Sequence, residues 1–595
     1  MESTIQALLA ETETLSMIVA YLSRFIFPVL AIIIFVRCLL PLLSGGQQPE
    51  PWAHLVLQGG DVRPLSHWEN SVGRSNSCDV VINMPFISRI HAVIMKKGKR
   101  WYITDLDSKG GVTVNDQSAS GLLRIEEGDV IKLAGLEMKI IPAVFDIEEN
   151  IGKKKLAVRI AEKAARSASH ISIGGTLFLI LLFQVVGLIG TCLAAGENFN
   201  IMVLLIFLMF FVLELTYFLF TGFSVRKHIE PELLAFFLSG ISLFVCASVN
   251  PDEMIKQFVA VVIGIALMGV LTFFLNNLQR ARVARYVFAI AAIALLVATL
   301  IFATATNGAL NWIQIGDVSI QPSEFVKVAF VFAGGATLER LLSSKNFLKF
   351  MAFSGVCIVA LIIMSDFGAA LIFYISFIVI AFMRSGDIRR IGLITGVTVA
   401  GVGLVASFLP YIMARFSAWR HVWEYSDTTG YQQVRTMIYT ASGGMLGVGS
   451  GNGHLRYIAA ADTDLVFGLI AEEWGLIVAI VCSLVPVALV IFAFMSVKSS
   501  RSAFYAIVAC GAATIFLMQA ILNVFGSLDI LPLTGVTLPF VSNGGSSMVA
   551  CWGLLALIKS IDERHRAQYL WKEDEYDEYY YKEELRRLKG EGYRE

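Results

Sequence analysis

Apolar segments long enough to cross a lipid bilayer dominate this chain, and residues of hydrophobic type make up 56% of it. An α-helix needs about 20 apolar residues to span the hydrocarbon core. The sequence therefore predicts a mostly α-helical, polytopic membrane protein. About twelve segments of spanning or near-spanning length follow residue 169, at roughly 170–195, 199–223, 232–250, 254–277, 283–306, 323–342, 347–365, 367–384, 391–413, 465–496, 504–526 and 538–560.

Another apolar run lies near the N-terminus, from about Leu15 to Leu43, and is interrupted by Arg24. Residues 1–14 are acidic and contain no Lys or Arg, whereas a signal peptide normally begins with a basic region. We expect residues 1–44 to be an uncleaved membrane anchor whose N-terminus lies outside the cell.

Basic residues are concentrated in alternate loops between the apolar segments. The positive-inside rule assigns such loops to the cytoplasm. On this rule the long segment 414–464 is outside, and the soluble region before residue 143 and the charged, Tyr-rich tail 562–595 are inside. The helix-prone basic stretch 147–169 suits the anionic cytoplasmic leaflet. The basic positions are Lys153, Lys154, Lys155, Arg159, Lys163, Arg166, Arg226, Lys227, Arg280, Arg282, Arg285, Arg340, Lys345, Lys349, Arg384, Arg389, Arg390, Lys498 and Arg501.

Composition excludes several classes of site. The formal net charge is zero, which gives no indication of a nucleic-acid partner. The eight cysteines are scattered, mostly within apolar runs, and none forms a CxxC pair. The sequence therefore implies neither a disulfide framework nor a zinc site.

The region from Ala53 to Pro142 has a different character. Short alternating runs such as HLVLQ, WYITDL and LEMKII are separated by Gly, Asn, Asp and Ser, a spacing typical of a soluble β-sandwich. Gly73-Arg74, Ser88-Arg89-Ile90-His91 and the run Asp105 to Gly111 resemble the forkhead-associated (FHA) domain, and we assign residues 53–143 to it.

The FHA resemblance implies phosphothreonine-peptide binding. Arg74 and Ser88 would contact the phosphate, since an Arg fork can hold phosphate oxygens in a bidentate way, and His91 would support the loops. Gly110 departs from the family pattern, which has an Asn there. The alternative is a β-domain in which Arg74 is only a solvated charge. The expected phosphopeptide-binding residues are Arg74, Ser88, Arg89, His91 and Asn115.

Three separated polar blocks interrupt the apolar segments after residue 232. The first runs from Asn307 to Lys327 and contains Gln321-Pro322-Ser323-Glu324. The second, Gly430 to Gly475, is rich in glycine and contains Thr463-Asp464. The third runs from Asn523 to Ser547 and ends in Gly544-Gly545-Ser546-Ser547.

In order, spacing and predicted membrane side these blocks resemble the SEDS family, the FtsW/RodA type of membrane glycosyltransferase. The resemblance implies a ten-helix core over 232–561, with 170–231 and the first anchor as about three additional spanning helices. It implies a bacterial plasma-membrane enzyme that joins lipid II into glycan strands on the outer face. A class B penicillin-binding transpeptidase is the implied partner. The chain departs from the pattern in the run Ala459 to Asp462, at Asn543 and at Asn311.

Asp464 is the residue that the resemblance identifies as catalytic. Diphosphate is a good leaving group, so one carboxylate can serve as general base, and a divalent cation such as Mg or Mn, held in part by Asp464, could steady the departing charge. The alternative is that Asp464 only caps the following helix, where Asp is favoured.

The other expected substrate-binding residues come from the same blocks and from nearby spans. Glu324 and Lys327 are three residues apart and share a helical face, so they either serve the substrate or only lock helices together. The glycines could cradle diphosphate through backbone N–H groups or merely permit tight turns. Glu214, inside an added span, is expected only to make a buried polar contact. The full expected set is Trp312, Glu324, Lys327, Asp366, Gln432, Ser442, Gly443, Gly444, Glu472, Ser542, Gly544, Gly545 and Ser546.

Three functions compete at this point. The leading one is a peptidoglycan glycosyltransferase whose FHA domain links it to a threonine-phosphorylated cytoplasmic protein or a Ser/Thr kinase. The second is a transporter of lipid-linked precursors, because ten helices with buried charges could form a translocation path. The third is an inactive scaffold that works through its FHA domain. An intact Thr463-Asp464 disfavours the scaffold, and a large outer segment favours an outer-face enzyme.

Overall fold

The computed structural model describes three long stretches of the chain, 2–43, 51–142 and 173–561. The expected basic linker 147–169, most of the expected span 391–413 and the tail 562–595 lie outside the described residues. Short gaps within the three stretches fall at 59, 68, 76–77, 98–99, 107, 120–122, 127, 196–199, 224–227, 276–277, 307–308, 317, 339–343, 386–388, 390–391, 397–418, 498–499 and 501–502.

The N-terminal soluble region is a β-sandwich, as predicted. One sheet has the strand order β2-β1-β11-β10-β7-β8 and the other β4-β3-β5-β6-β9. Side chains alternate between buried and half-buried along β1, and the inward-facing set forms a core of its own that includes Leu55, Ile94 and Ile131. The strands are β1 Ala53–Leu57, β2 Val62–Leu65, β3 Glu69–Gly73, β4 Val80–Val81, β5 Ala92–Lys97, β6 Arg100–Asp105, β7 Val112–Val114, β8 Gln117–Ser118, β9 Leu123–Ile125, β10 Val130–Leu133 and β11 Leu136–Pro142.

The rest of the described chain is mostly helical. Eight of its helices are long and apolar enough to cross a membrane, and three shorter apolar helices accompany them. The helices are α1 Glu2–Leu43, α2 Ile173–Ala195, α3 Ile201–Phe223, α4 Glu230–Val249, α5 Met254–Leu275, α6 Leu278–Phe302, α7 Pro322–Leu338, α8 Ser344–Ile363, α9 Phe367–Ser385, α10 Tyr431–Gly443, α11 Val466–Glu473, α12 Leu476–Val497, α13 Ala503–Ser527 and α14 Gly545–Ile561.

The additional helices α1, α2 and α3 pack against the remaining helices. Helix α1 runs along α2 and α12 and also touches α4. Aromatic side chains fill these contacts: the Phe27 and Phe183 rings meet edge to face with centroids 4.9 Å apart, and Phe207 stacks on Phe244 at 4.5 Å. Offset and edge-on ring pairs stabilise such contacts beyond the area they bury. The additional helices are therefore integral to the packed domain.

Three predicted segments differ from the structure. The expected span 465–496 is two helices, α11 and α12, because the chain breaks at Gly475, which has φ +94°. Segment 414–464 is more than a loop, since it contains the 13-residue amphipathic helix α10. Residues after α6 form a small antiparallel sheet of three strands, β12 Thr304–Thr306, β13 Ala309–Ile315 and β14 Val318–Ile320.

A mixed sequence such as that of α10 has low mean hydropathy and escapes a search for apolar runs. Gly475 marks the break because its positive φ is strained for other residues. A side chain there would also overlap the carbonyl oxygen of Met445. Neither effect is visible from apolar length alone.

Candidate active site

Asp464 lies in a tight turn that enters α11. Its backbone N–H donates to the carbonyl of Ala460 at 3.0 Å, and Ala460 has φ +63°. The N-cap position of α11 is taken by Leu465, and α11 has no side-chain cap. The N-cap of α11 is thus Leu465 rather than Asp464, and both roles of Asp464, catalytic base and cap of the following helix, stay predictions.

Two residues of the third block surround Asp464. The Asn523 side-chain amide donates to the carbonyls of Asp464 and Val536 at 3.1 and 2.8 Å. A Cβ at Gly535 would lie 3.4 Å from Asp464 Oδ2, so a side chain there would contact the carboxylate. Neither residue belongs to the site set that the sequence predicts. The sequence signal for Asn523 is an amide side chain within an otherwise largely apolar helix.

The turn before Asp464 is fixed to the segment that precedes α14. Ser542 Oγ donates to the carbonyl of Thr463 at 2.6 Å and accepts the N–H of Leu538 at 2.9 Å. The Asn543 side chain donates to Asp462 Oδ2 at 2.8 Å, and its backbone N–H donates to the Asp462 carbonyl at 2.8 Å. Thus two of the departures from the family pattern, Asp462 and Asn543, bind each other.

The first and third blocks also meet. Gln321 Nε2 donates to Asp366 Oδ2 at 3.2 Å, and the Gln321 backbone N–H reaches Ser546 Oγ at 3.4 Å. Asp366 is buried, and its other oxygen accepts the N–H of Ala369 at the start of α9. Trp312 lies half-buried on β13. Asp366 and Ser546 are thus brought together, although their sequence positions lie 180 apart.

Glu324 and Lys327 form an ion pair within α7. Lys327 Nζ lies 2.6 Å from Glu324 Oε1, and the two side chains are 2% and 6% exposed. Burying either charge without its partner would be costly, so the pair neutralises itself as the three-residue spacing predicted. Its geometry is compatible with both readings, substrate binding and helix locking.

The glycine-rich stretch 444–455, which we call the glycine loop, folds back on the C-terminal end of α11. Glu472 accepts the backbone N–H groups of His454 and Leu455, both at 2.8 Å. Glu473 accepts the N–H of Gly451 at 3.0 Å and also the hydroxyl of Ser248. The two carboxylates therefore accept N–H groups from different positions of the same loop. Glu472 is committed to backbone donors of the glycine loop.

The remaining expected residues of the second and third blocks make local contacts. Gln432 Nε2 donates to the Ala459 carbonyl at 2.9 Å, and the exposed Ser442 bonds within α10. Gly443 approaches the backbone of Ala471 and Glu472 so closely that a side chain would overlap it. Gly444 ends α10 with φ +56°. Gly544 donates its N–H to Gln257, and Gly545 lies near Ala260.

A divalent cation would find few protein ligands here. The described residues contain no group of three or more His, Cys, Asp or Glu side chains that could hold a metal ion. A Mg ion is commonly held by one or two carboxylates together with substrate phosphates, and only Asp464 among the expected residues would fill that role. The protein by itself does not fit a preformed metal site, and no chemical step is derived through one.

The FHA loops form a second candidate site. Arg74 and Arg89 are exposed, and Ser88 is half-buried with its backbone carbonyl accepting the Arg74 N–H at 3.0 Å. Ser88 Oγ accepts the N–H of Lys109 at 3.0 Å. Buried His91 takes the Ser88 N–H on Nδ1 at 3.1 Å and meets the Gly111 carbonyl through Nε2. This is the supporting role that the resemblance implied for His91.

Asn115 stands apart from this group. Its side chain donates to Asp129 Oδ1 at 2.7 Å and accepts the N–H of Val130 at 3.0 Å, and its φ is +49°. An asparagine tolerates this left-handed conformation better than most residues do. The structure therefore shows Asn115 holding a turn, with both ends of its amide engaged within the domain.

Comparisons with known proteins follow the same division of the chain. The FHA profile matches residues 70–134. The peptidoglycan glycosyltransferase RodA of Mycobacterium tuberculosis is 29% identical over 336 residues, which cover 52% of this chain and 70% of that protein. A probable peptidoglycan glycosyltransferase FtsW of Coxiella burnetii is 31% identical, covering 43% of this chain and 71% of its own length. The solved RodA of Thermus thermophilus is 22% identical, covers 58% of this chain and 99% of its own, and has a TM-score of 0.43.

One further match covers more than half of the chain. The FtsW/RodA/SpoVE profile, described as "cell cycle protein", spans residues 233–567. The chain is a multi-pass membrane protein that belongs to the FtsW/RodA/SpoVE family and carries an N-terminal FHA domain.

Proposed function

We propose that this protein is a peptidoglycan glycosyltransferase that polymerises lipid II into glycan strands, with Asp464 as its general base. The observation that carries the proposal is the setting of Asp464. Asn523 of the third block holds the Asp464 backbone, and Gly535 places no side chain against the Asp464 carboxylate. The first block meets the third where the Gln321 N–H reaches Ser546 Oγ. Relatives in the family are named peptidoglycan glycosyltransferases.

The chemistry needs one proton acceptor. The 4-hydroxyl of one sugar attacks the anomeric carbon of another, the bond to undecaprenyl diphosphate breaks, and the diphosphate leaves with the electron pair. The hydroxyl proton passes to the Asp464 carboxylate. General-base assistance of this kind typically contributes about 100- to 10,000-fold.

We propose a divalent cation only as an ion that binds together with the substrate. Mg or Mn would bind diphosphate oxygens together with Asp464 and offset the charge of the leaving group. Loss of polymer on addition of a chelator, restored by excess Mg or Mn, would support this arrangement.

The proposal includes sidedness and partners. The alternating basic loops support a bacterial plasma-membrane protein with Asp464 outside and the FHA domain and C-terminus inside. The exposed Arg74 beside Ser88 supports docking of a threonine-phosphorylated cytoplasmic protein or a Ser/Thr kinase. A class B penicillin-binding transpeptidase is the partner that the family resemblance suggests.

The test is glycan-strand formation from labelled lipid II by purified protein. Asp464→Asn retains the shape of the side chain but cannot accept the proton, so we expect polymer formation to fall by at least about 100-fold. The matched control is Asp252→Asn, which changes an exposed carboxylate in the Pro251–Glu253 turn. Full activity of Asp464→Asn would remove Asp464 from the mechanism.

The same preparation separates the competing functions. In vesicles with lipid II on one leaflet, a transporter would move lipid II across without forming polymer. A scaffold would do neither. Either result with folded wild-type protein would overturn the glycosyltransferase proposal.

A further inference from the structure

The glycine loop is attached to α11 along its length. The backbone N–H of Val448 donates to the carbonyl of Glu472 at 2.8 Å, and that of Gly449 donates to the carbonyl of Glu473 at 2.9 Å. Together with the carboxylate bonds of Glu472 and Glu473, these contacts fix the loop to one end of α11. Asp464 stands just before the other end, one residue before Leu465.

The opposite side of the glycine loop is held by the two additional helices that flank the FHA domain. The Arg24 guanidinium on α1 donates to the carbonyl of Val448, so both backbone groups of Val448 are engaged. On α2, Thr191 Oγ1 and Ser450 Oγ form a buried hydrogen bond of 3.0 Å. A Cβ at Gly451 would lie 3.3 Å from Ala194 Cβ.

An arginine near the end of a spanning helix is costly unless its charge meets a partner. Here that partner is the carbonyl of Val448, which lies 424 positions later in the chain. A hydrogen bond from a charged donor to a neutral acceptor is stronger than one between neutral groups. The contact therefore contributes both to fixing the position of α1 and to ordering the glycine loop.

We propose that Arg24 and Thr191 are positioning residues, which hold the glycine loop against α11 and thereby set the place of Asp464. The proposal rests on the proposed function only for its kinetic part. The path is contiguous: Arg24 and Thr191 contact the loop, the loop bonds to Glu472 and Glu473 at the C-terminal end of α11, and the eight-residue α11 begins at the Asp464 turn. A short rigid helix transmits displacement at one end to the other.

The order of elements along the chain also connects these two helices to the FHA domain. The FHA sandwich, residues 53–142, is inserted between α1 and α2. At the end of these helices away from Arg24, Arg37 of α1 donates to Thr176 of α2 at 3.1 Å. The two helices that precede and follow the FHA domain in the chain are thus hydrogen-bonded to each other at one end and to the glycine loop at the other.

Hydrogen–deuterium exchange of the full-length protein in nanodiscs tests the positioning role without relying on activity. Arg24→Met keeps the length and apolar stem of the side chain but removes the donor. We expect residues 444–455 to exchange at least about fivefold faster than in wild type. Thr191→Val, of nearly equal volume, should raise exchange in the same segment. Arg37→Met, which removes a guanidinium from the same helix, is the matched control and should leave the segment unchanged.

Polymerisation kinetics give the second readout. A misplaced catalytic group lowers turnover more than substrate binding, so we expect Arg24→Met to lower kcat by roughly 10-fold with little change in KM. Arg24→Lys keeps the charge and a donor and should restore part of kcat. Arg37→Met should retain wild-type kcat.

Several outcomes would overturn the positioning role. Unchanged exchange in 444–455 would show that Arg24 does not order the glycine loop. Faster exchange throughout the helical domain would show that Arg24 serves only general packing. A fall in kcat equal in Arg24→Met and Arg37→Met would do the same. Absence of polymer with wild-type protein would count against the proposed function, while the exchange result would still decide the role of Arg24.

Discussion

Gly110 of the FHA domain has no space for the asparagine that the family pattern has there. A side chain at this position would overlap Ala134, which itself adopts φ +47°. An asparagine could therefore be accommodated here only if Ala134 moved. Arg74 and Ser88, which we propose to contact phosphate, are joined to each other through the Arg74 N–H and the Ser88 carbonyl.

The proposed contact of Arg74 with phosphate leads to a prediction at the scale of the residue. Arg74→Ala in the full-length protein should weaken binding of phosphothreonine peptides by about 10- to 150-fold, because it removes a charge-assisted contact. Fluorescence polarisation with matched phosphorylated and unphosphorylated peptide libraries measures it. Arg63→Ala, which removes an exposed arginine paired with Asp61, is the control. Equal binding of both libraries to wild type would contradict phosphopeptide recognition.

At the scale of the element, the geometry of α7 fits two roles of its ion pair equally well. Its Glu324–Lys327 pair is buried and close, at 2.6 Å, and a helix start bearing a matched ion pair can either bind substrate or stabilise packing. Removing one partner and removing both have different consequences, because a single buried charge is costly whereas a missing pair is often tolerated.

We therefore predict that Lys327→Met alone destabilises the protein by about 3–5 kcal/mol. The double variant Glu324→Gln/Lys327→Met should recover most of that stability, as thermal unfolding in detergent would show. Its activity then decides the role: a folded but inactive double variant assigns the pair to the substrate, and a folded, active one assigns it to packing. Equal stability of the single and double variants would contradict the buried-pair argument.

At the scale of the whole molecule, the sidedness of the membrane domain is the first property to test. Gly451 is a poor site for a reporter cysteine because it has φ +73° and lies against Ala194. Its exposed neighbour Asn452 has neither restriction. On the soluble domain, Gln117 of β8 is exposed and gives the opposite reporter.

In intact cells, Asn452→Cys should react with an impermeant thiol reagent, and Gln117→Cys should react only after lysis. The native background should be low, since six of the eight cysteines are buried. Burial raises the pKa of the Cys78 thiol to about 11, so at neutral pH it carries little reactive thiolate. Protection of Asn452→Cys together with labelling of Gln117→Cys would reverse the assigned orientation.

Much of the architecture could be predicted because its signals are local. Apolar length predicted the spanning helices, alternation with turn residues predicted the sandwich, and motif spacing led to both families. The breaks were missed for equally local reasons: α10 is too polar for a hydropathy search, and Gly475 interrupts an otherwise apolar run. The three-stranded sheet before α7 gave no signal that distinguishes it from a loop.

The candidate site likewise has features that the sequence predicts and features that only the structure shows. The sequence by itself determined which residue types are present, including Asp464 and the glycines, because motif identity is carried by short stretches of chain. Only the tertiary structure decided that Asn523 holds the Asp464 turn, that Asp462 binds Asn543, and that Glu472 and Arg24 are committed to the glycine loop. These contacts join residues far apart in the chain, so they depend on how the helices pack, and no local pattern encodes that packing.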